Sequence, residues 1–294
     1  MDEYRCVLCP RNCNAVRQKD SGNGYCRMGT NPRIARVAPH MWEEPCISGT
    51  NGSGTIFFSG CVLSCVFCQN SKISMCGYGK EITCDELIEH IKKLEAMGVH
   101  NVNLVSPTPY IESIISCFER YKPSIPVVYN TGGYEKAETL KRLEGIVNIY
   151  LPDMKYIHSE VSKKYSNAEN YFEYASSALA EMVRQTGIPQ FDQNGIMKKG
   201  TIVRHLILPG HTKNSIAVLD WLNETFGKKI LVSLMGQYVP LGKAKEYPEI
   251  DRKLTQREYY KVLDYMNRTE LDGFVQELSS AKEEYVPDFD VEKL

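Results

Sequence analysis

Three cysteines stand within eight residues in Cys61-Val62-Leu63-Ser64-Cys65-Val66-Phe67-Cys68, a C-x3-C-x2-C run. Ionised thiols are soft ligands for zinc and for iron–sulfur clusters. A structural zinc site takes four ligands, commonly as two Cys/His pairs, whereas this loop supplies three from a single stretch. Three thiolates suit a cubane iron–sulfur cluster, which normally takes four and here keeps one iron open. An open iron can bind a substrate, as the open position of a catalytic zinc does. No fourth cysteine follows at ligand spacing; Cys76, eight residues past Cys68, is the further thiol that spacing alone leaves available.

A second group, Cys6, Cys9, Cys13 and Cys26, has the spacing C-x2-C-x3-C-x12-C. Four thiolates suit either tetrahedral zinc or a second, fully ligated iron–sulfur cluster, and a structural role in both cases. The chain holds 11 cysteines, so four are left over. Cys84 and Cys117 fall in helical patterns and read as small buried apolar residues. Cys46 has no assigned role.

These residues need a scaffold. Residues 1–50 show no sustained periodicity and read as a loop-rich metal-binding segment, too poor in apolar surface to fold without a metal. Residues 51–270 read as the main body. Strands are expected at Thr55–Phe58, Asn101–Val105, Ile125–Tyr129, Ile146–Leu151, Thr201–Leu208 and Ile230–Leu234. Between them run helical stripes, among them Leu87, Ile88, Ile91 and Leu94, and then Ile111, Ile114, Ile115 and Phe118. Thr83 with Glu86, and Thr255 with Glu258, have capping-box spacing. Residues 271–294 read as a C-terminal extension with an acidic tail. Six strand-then-helix units imply a parallel sheet with right-handed crossovers, which pattern alone leaves as a doubly wound sheet or a barrel.

Composition narrows the classes. Lys and Arg total 35 against 36 Asp and Glu, a net charge of −1 with 43% hydrophobic residues. That is a globular balance without the basic excess of a nucleic-acid binder. Met1-Asp2-Glu3-Tyr4-Arg5 does not read as a secretory signal, and no apolar run approaches the roughly 18 residues of a membrane span. A cytoplasmic location is expected, where clustered cysteines bind metal or do redox chemistry more often than they form disulfides.

The C-x3-C-x2-C run, with an aromatic before its last cysteine, resembles the signature of the radical S-adenosylmethionine (SAM) superfamily. The resemblance implies that Cys61, Cys65 and Cys68 ligate a [4Fe-4S] cluster whose fourth iron is chelated by the amino and carboxylate groups of SAM. Reductive cleavage of the sulfonium then gives a 5′-deoxyadenosyl radical that abstracts hydrogen. It also implies an α/β fold, a partial (β/α)6 barrel with the cluster loop after the first strand, fronted here by the cysteine-rich knuckle. Flavodoxin or ferredoxin is the implied electron donor.

Over nearly the whole chain the sequence resembles the pyruvate-formate-lyase-activating-enzyme-like branch. The matching stretches include Cys6-Val7-Leu8-Cys9-Pro10-Arg11-Asn12-Cys13, Glu43-Glu44-Pro45-Cys46-Ile47-Ser48-Gly49, Tyr150-Leu151-Pro152-Asp153-Met154-Lys155-Tyr156 and Arg204-His205-Leu206-Ile207-Leu208-Pro209-Gly210. True activases install a glycyl radical on a partner protein, so a glycyl radical enzyme is the implied partner. Their Gly-Gly-Glu-Pro-like segment is replaced here by Val105-Ser106-Pro107-Thr108-Pro109-Tyr110, whose Ser106 and Thr108 hydroxyls offer substitute acceptors for the methionyl amino group. That rebuilt segment leaves another protein or a small molecule as the alternative substrate. A non-catalytic electron carrier is the remaining alternative, although it needs neither an open iron nor a fold of this size.

Ligands of parallel α/β folds gather at the carboxyl ends of strands. Asn130-Thr131-Gly132-Gly133 ends the third strand, and the resemblance puts SAM near Asn130. Asp153 and Lys155 end the fourth strand, to face a ligand or to pair with each other. Arg204 lies in an apolar strand where a charge needs a partner; the resemblance offers it the cofactor carboxylate. His205 points to the opposite face, as a structural or outward-facing residue. Phe67 is placed on the adenine or as a plug beside the cluster, and Gln237 and Tyr238 near the adenine or substrate.

Overall fold

The protein is described here from a computed structural model covering residues 5–276, 278 and 289–294. Its strands are Arg5–Cys6 (β1), Ala15–Val16 (β2), Arg33–His40 (β3), Ser53–Phe58 (β4), Lys80–Glu81 (β5), Val102–Val105 (β6), Val127–Thr131 (β7), Ile149–Pro152 (β8), Gln190–Phe191 (β9), Met197–Leu206 (β10), Leu231–Met235 (β11) and Asp272–Gln276 (β12). Its helices are Pro45–Ser48 (α1), Ser71–Ser74 (α2), Cys84–Ala96 (α3), Ile111–Arg120 (α4), Ala137–Lys141 (α5), Ser159–Ser166 (α6), Tyr171–Thr186 (α7), Thr212–Thr225 (α8) and Gln256–Met266 (α9). The six expected strands all form, shifted by a few residues at their ends. Both capping boxes form: the Glu86 backbone N–H donates to Thr83 Oγ1 at 3.2 Å while the Thr83 N–H donates to Glu86 Oε2 at 2.7 Å, and Thr255 with Glu258 repeats the exchange.

Topology settles what the pattern left open. Strands β4, β6, β7, β8, β10, β11 and β12 lie side by side in chain order, all parallel. A doubly wound sheet reverses its order at a switch point, and that crevice is its ligand site. An order that never reverses curls one way into a barrel with its helices outside. Here the edges carry β12 on one side and the antiparallel β3 and β5 on the other, so the described residues form a partial, open barrel.

The sheet reaches beyond residues 51–270 at both ends. Strand β3, eight residues within the stretch that lacked periodicity, pairs with β4 from Ile34 opposite Phe58 to His40 opposite Ser53. Its alternation is broken by a register shift between Ile34 and Arg36 and by Pro39. Strand β12 is short and polar outside, Asp-Gly-Phe-Val-Gln, and became a strand through pairing with β11. The acidic tail lies largely outside the described residues.

Side chains alternate along each strand. Tyr129, Tyr150, Val203, Val232 and Leu234 face the outer helices and join the largest core cluster. Their neighbours Val128, Ile149, Leu151 and Ile202 therefore face the concave side, where they enclose Cys46 and Ile47 of α1. Helix α1 thus plugs the barrel from within, which gives Cys46 a place as packing. Cys84 and Cys117 were expected to be separate buried residues. Cys117 is buried in the core as expected, Cys84 is half-buried against it, and the two are paired as a disulfide between α3 and α4 with Cα atoms 5.4 Å apart.

Candidate active site

The cysteine loop leaves the carboxyl end of β4 through Ser59 and Gly60, the rim where barrel enzymes carry their chemistry. Several elements hold its backbone. The Val66 N–H donates to the Tyr165 carbonyl at 2.9 Å and the Lys243 N–H donates to the Val66 carbonyl at 2.7 Å. Ser64 adopts a left-handed φ of 59° that turns the chain between Cys61 and Cys65.

Each thiol of the triad meets a hydrogen-bond partner. Ser166 Oγ donates to Cys65 Sγ at 2.9 Å, Ser74 Oγ lies 3.4 Å from Cys68 Sγ, and the Leu63 N–H donates to Cys61 Sγ at 3.4 Å. Burial pushes the Cys65 thiol up to about 12 and raises Cys68 as well, each further raised by the neighbouring triad thiols. A bound cation supplies the charge that ionising such buried thiols needs. Among the described residues no three Cys, His, Asp or Glu side chains converge on one point as ligands of a single ion do. A cubane places each cysteine on a different iron, so its ligands must be neighbours without converging. Three adjacent thiols with donors aimed at their sulfurs fit that group. Cys76, the other thiol that spacing left available, is exposed beyond α2.

Beside the triad, Lys155 Nζ pairs with Asp153 Oδ2 at 2.5 Å. Burial works against the charge on Lys155, but Asp153 and the Cys65 thiolate outweigh it and raise the ammonium above the ordinary lysine value. Tyr171 fixes the turn: its hydroxyl donates to the Asp153 carbonyl at 2.8 Å and accepts the Lys155 N–H at 3.0 Å. Gly133 has φ 82°, and a Cβ there would overlap the Asp153 carbonyl. Asn130, between outward-facing Tyr129 and Thr131, lies on the concave side at the end of β7. Ser106 has a left-handed φ of 59°, and its N–H donates to the Asn130 carbonyl at 2.8 Å.

One expected cofactor contact, Arg204, is occupied otherwise. Arg204 lies on the concave side, but its guanidinium is held by two carboxylates from the segment before α1. Nε donates to Glu44 Oε1 at 2.8 Å and Nη2 to Glu44 Oε2 at 2.7 Å, with Glu43 on the same nitrogen. Asn103 Nδ2 donates to Glu43 Oε1 at 3.1 Å. This polar layer sits above the apolar plug of Cys46 and Ile47, so the guanidinium is spent on the barrel's own interior. The Glu43-Glu44 pair was visible only as part of a family-like stretch, because no local pattern reveals a partner 160 residues away. Thr108 is buried; its hydroxyl donates to Glu135 Oε1 at 2.5 Å, as does that of Thr131, also at 2.5 Å, and keeps its lone pairs to accept. Glu135 is fully buried, and burial raises its carboxyl to about 7 despite those hydroxyls. Sequence reasoning missed it; its only signal was an acid inside a stretch that folds inward.

Phe67 is buried, with its ring edge on Tyr238 at 5.9 Å between centroids. Tyr238 donates to the Ile250 carbonyl at 2.8 Å, so these two rings form one plug behind the loop. His205 is buried rather than outward facing: Nδ1 sits 2.6 Å from the Met154 carbonyl, and burial depresses its pKa to about 4, so the ring is neutral. Cys6, Cys9, Cys13 and Cys26 line one small pocket together with Arg17, Met28, Val62 and Thr108.

A model of the radical SAM superfamily matches residues 55–222, more than half of the chain, with the cysteine loop inside it. The chain belongs to the radical SAM superfamily. Membership implies a [4Fe-4S] cluster and SAM as cofactors. This radical SAM protein is 30% identical over 276 residues to an uncharacterized protein of Methanocaldococcus jannaschii, covering 91% of the present chain and 75% of that one. Among solved structures it is similar to methylornithine synthase, with TM-score 0.50 and 18% identity over 73% of the chain. It is also similar to Streptococcus suis SuiB bound to S-adenosylmethionine, with TM-score 0.50 and 16% identity over 76% of the chain. It spans only 62% and 50% of those two chains, and the likeness is one of fold. No helix among the described residues is long and apolar enough to cross a membrane.

Proposed function

We propose that this radical SAM protein reductively cleaves SAM at a [4Fe-4S] cluster held by Cys61, Cys65 and Cys68, and that the resulting hydrogen abstraction serves a protein substrate, with a glycyl radical enzyme as the first candidate. The observation that carries the reading is the triad itself: three adjacent thiols, each with a hydrogen-bond donor, on the carboxyl rim of a parallel barrel. When bound, the cluster supplies the electron that breaks the sulfonium. The chain's own residues do the rest. Ser166 and Ser74 stabilise negative charge on Cys65 and Cys68. Lys155, fixed by Asp153 and Tyr171, keeps a positive charge beside Cys65. Phe67 and Tyr238 shield the loop from water on its inner side. Residues 51–270 are read as the catalytic unit, with flavodoxin or ferredoxin as donor.

The rebuilt segment Val105–Tyr110 leaves another protein or a small molecule as the alternative substrate. Anaerobically reconstituted protein with SAM and a strong reductant should release 5′-deoxyadenosine. Cys61→Ala, Cys65→Ala and Cys68→Ala should each abolish it; release at the wild-type rate would end the assignment. Mixing the active protein with extract of its source cells and looking for a SAM-dependent glycyl radical by electron paramagnetic resonance (EPR) tests the substrate.

A further inference from the structure

The N-terminal knuckle lies against the back of the cluster loop. Strands β1 and β2 pair over only two residues, and the knuckle's own apolar cluster is Cys6, Leu8 and Ala15. So small a cluster does not hold a 25-residue loop segment in place without a cross-link or a metal. All four of its cysteines line one small pocket, with Cys13 exposed at its mouth and the remaining walls apolar apart from Arg17 and Thr108. The Arg17 guanidinium donates to the Met28 carbonyl at 3.0 Å and lies 3.8 Å from Cys6 Sγ. It thus sets a positive charge beside sulfur donors inside the protein.

The knuckle also touches the loop directly. Val62, next to Cys61, forms part of the pocket wall. Arg11, between Cys9 and Cys13, donates from Nε to the Val62 carbonyl at 2.7 Å and from Nη2 to the Leu63 carbonyl at 3.2 Å. The same Nη2 donates to the Ser166 carbonyl at 3.1 Å, and Nη1 to that of Asn167. Its guanidinium also lies 3.9 Å from the Tyr25 ring centroid. One side chain therefore ties the cluster loop to the end of α6, where Ser166 donates to Cys65 Sγ.

We propose that Cys6, Cys9, Cys13 and Cys26 hold a second iron–sulfur cluster, capped by thiolate on every corner, and that this cluster fixes Arg11 as the positioning residue of the catalytic loop. Four protein ligands leave no open iron, so this site does not take SAM. Four sulfur donors supply one thiolate to each iron of such a cluster, and zinc in place of iron is the alternative outcome of the test. The positioning role rests on the proposed role of Cys61, Cys65 and Cys68; the second cluster does not.

The test is iron, sulfide and zinc analysis of the full chain after anaerobic reconstitution, wild type against Cys61→Ala/Cys65→Ala/Cys68→Ala. Wild type should hold roughly eight irons and the triple variant roughly four, with matching sulfide. The reduced EPR signal of the triple variant should not change on adding SAM. A triple variant with zinc in place of iron and sulfide, or with no metal, overturns the second cluster, whatever the wild type does with SAM. Arg11→Ala and Arg11→Lys then test positioning. Both should keep the wild-type iron content. Arg11→Ala should bind SAM roughly tenfold more weakly, the loss of about one charge-assisted hydrogen bond, with an altered EPR lineshape for the SAM-bound cluster; Arg11→Lys should recover part of both. Unchanged affinity and lineshape in Arg11→Ala, even with a lower melting temperature, overturns the positioning role.

Discussion

Replacing Arg204 by Met keeps the length of the side chain and removes its charge from a layer that holds two carboxylates. Glu44 is only 3% exposed, and Arg204 gives it two hydrogen bonds of 2.8 and 2.7 Å. Burial pushes the Glu44 carboxyl up, yet the charge and hydrogen bonds of Arg204 outweigh it and hold it below the ordinary carboxylate range. Removing one partner of a buried ion pair leaves the other uncompensated, at about 3–5 kcal/mol. For a domain of this size that is a melting temperature lower by roughly 6–20 °C. The loss should also depend on pH. In the wild type the depressed Glu44 pKa contributes stability above its unfolded value, and that contribution fades as pH falls through the folded value. In the variant burial is opposed only by a backbone hydrogen bond and by Ser233, so the Glu44 carboxyl rises and takes up a proton on acidification. The gap between the two proteins should therefore be widest near pH 8 and narrow toward pH 5. Melting followed by circular dichroism under anaerobic conditions reads both. Glu43→Gln/Glu44→Gln/Arg204→Met should regain about half of the loss or more, since a triad replaced as a unit leaves no buried charge. A single variant as stable as wild type at pH 8, or a gap that stays constant with pH, refutes the account of Arg204 as an interior brace.

Other consequences follow from the same structure. Burial raises Glu135 from 4.5 to about 7, a gap of roughly 3 kcal/mol. A raised pKa contributes stability fully present below the unfolded value and lost as pH rises through the folded one. Glu135→Gln should flatten that fall between pH 4.5 and about 7 in denaturant titrations, and an unchanged slope would count against the burial argument. Gly133→Ala should lower the unfolding free energy by about 2–4 kcal/mol, because its Cβ meets the Asp153 carbonyl on top of the backbone strain. Gly145→Ala, at a φ of 83° with nothing within 4 Å, isolates the strain alone and should cost less. Equal losses would mean that the Asp153 turn yields freely.

Much of this protein is legible in one dimension because the information is local. Cys61, Cys65 and Cys68 occupy one loop, and adjacency in sequence forces adjacency in space. The capping boxes of α3 and α9 join residues three apart. The six buried parallel strands announce themselves as apolar runs between helical stripes. What the sequence left open are the relations between distant segments. Whether the sheet reverses or curls depends on the order in which strands pair, and strand order leaves no local trace. Strand β3 was hidden because its register shift and Pro39 break the alternation that marks a strand, and it exists through pairing with β4. Arg204 had the right address for a cofactor ligand, on the concave side of a central strand, but the chain brings Glu43 and Glu44 to it from 160 residues away. Thr108 offered a hydroxyl to the rim, and the fold gave it Glu135 as an acceptor. A residue's type and spacing thus determine what chemistry it can do. A buried charge or hydroxyl must find a partner wherever the folded chain supplies one, and only the tertiary structure decides which partner that is.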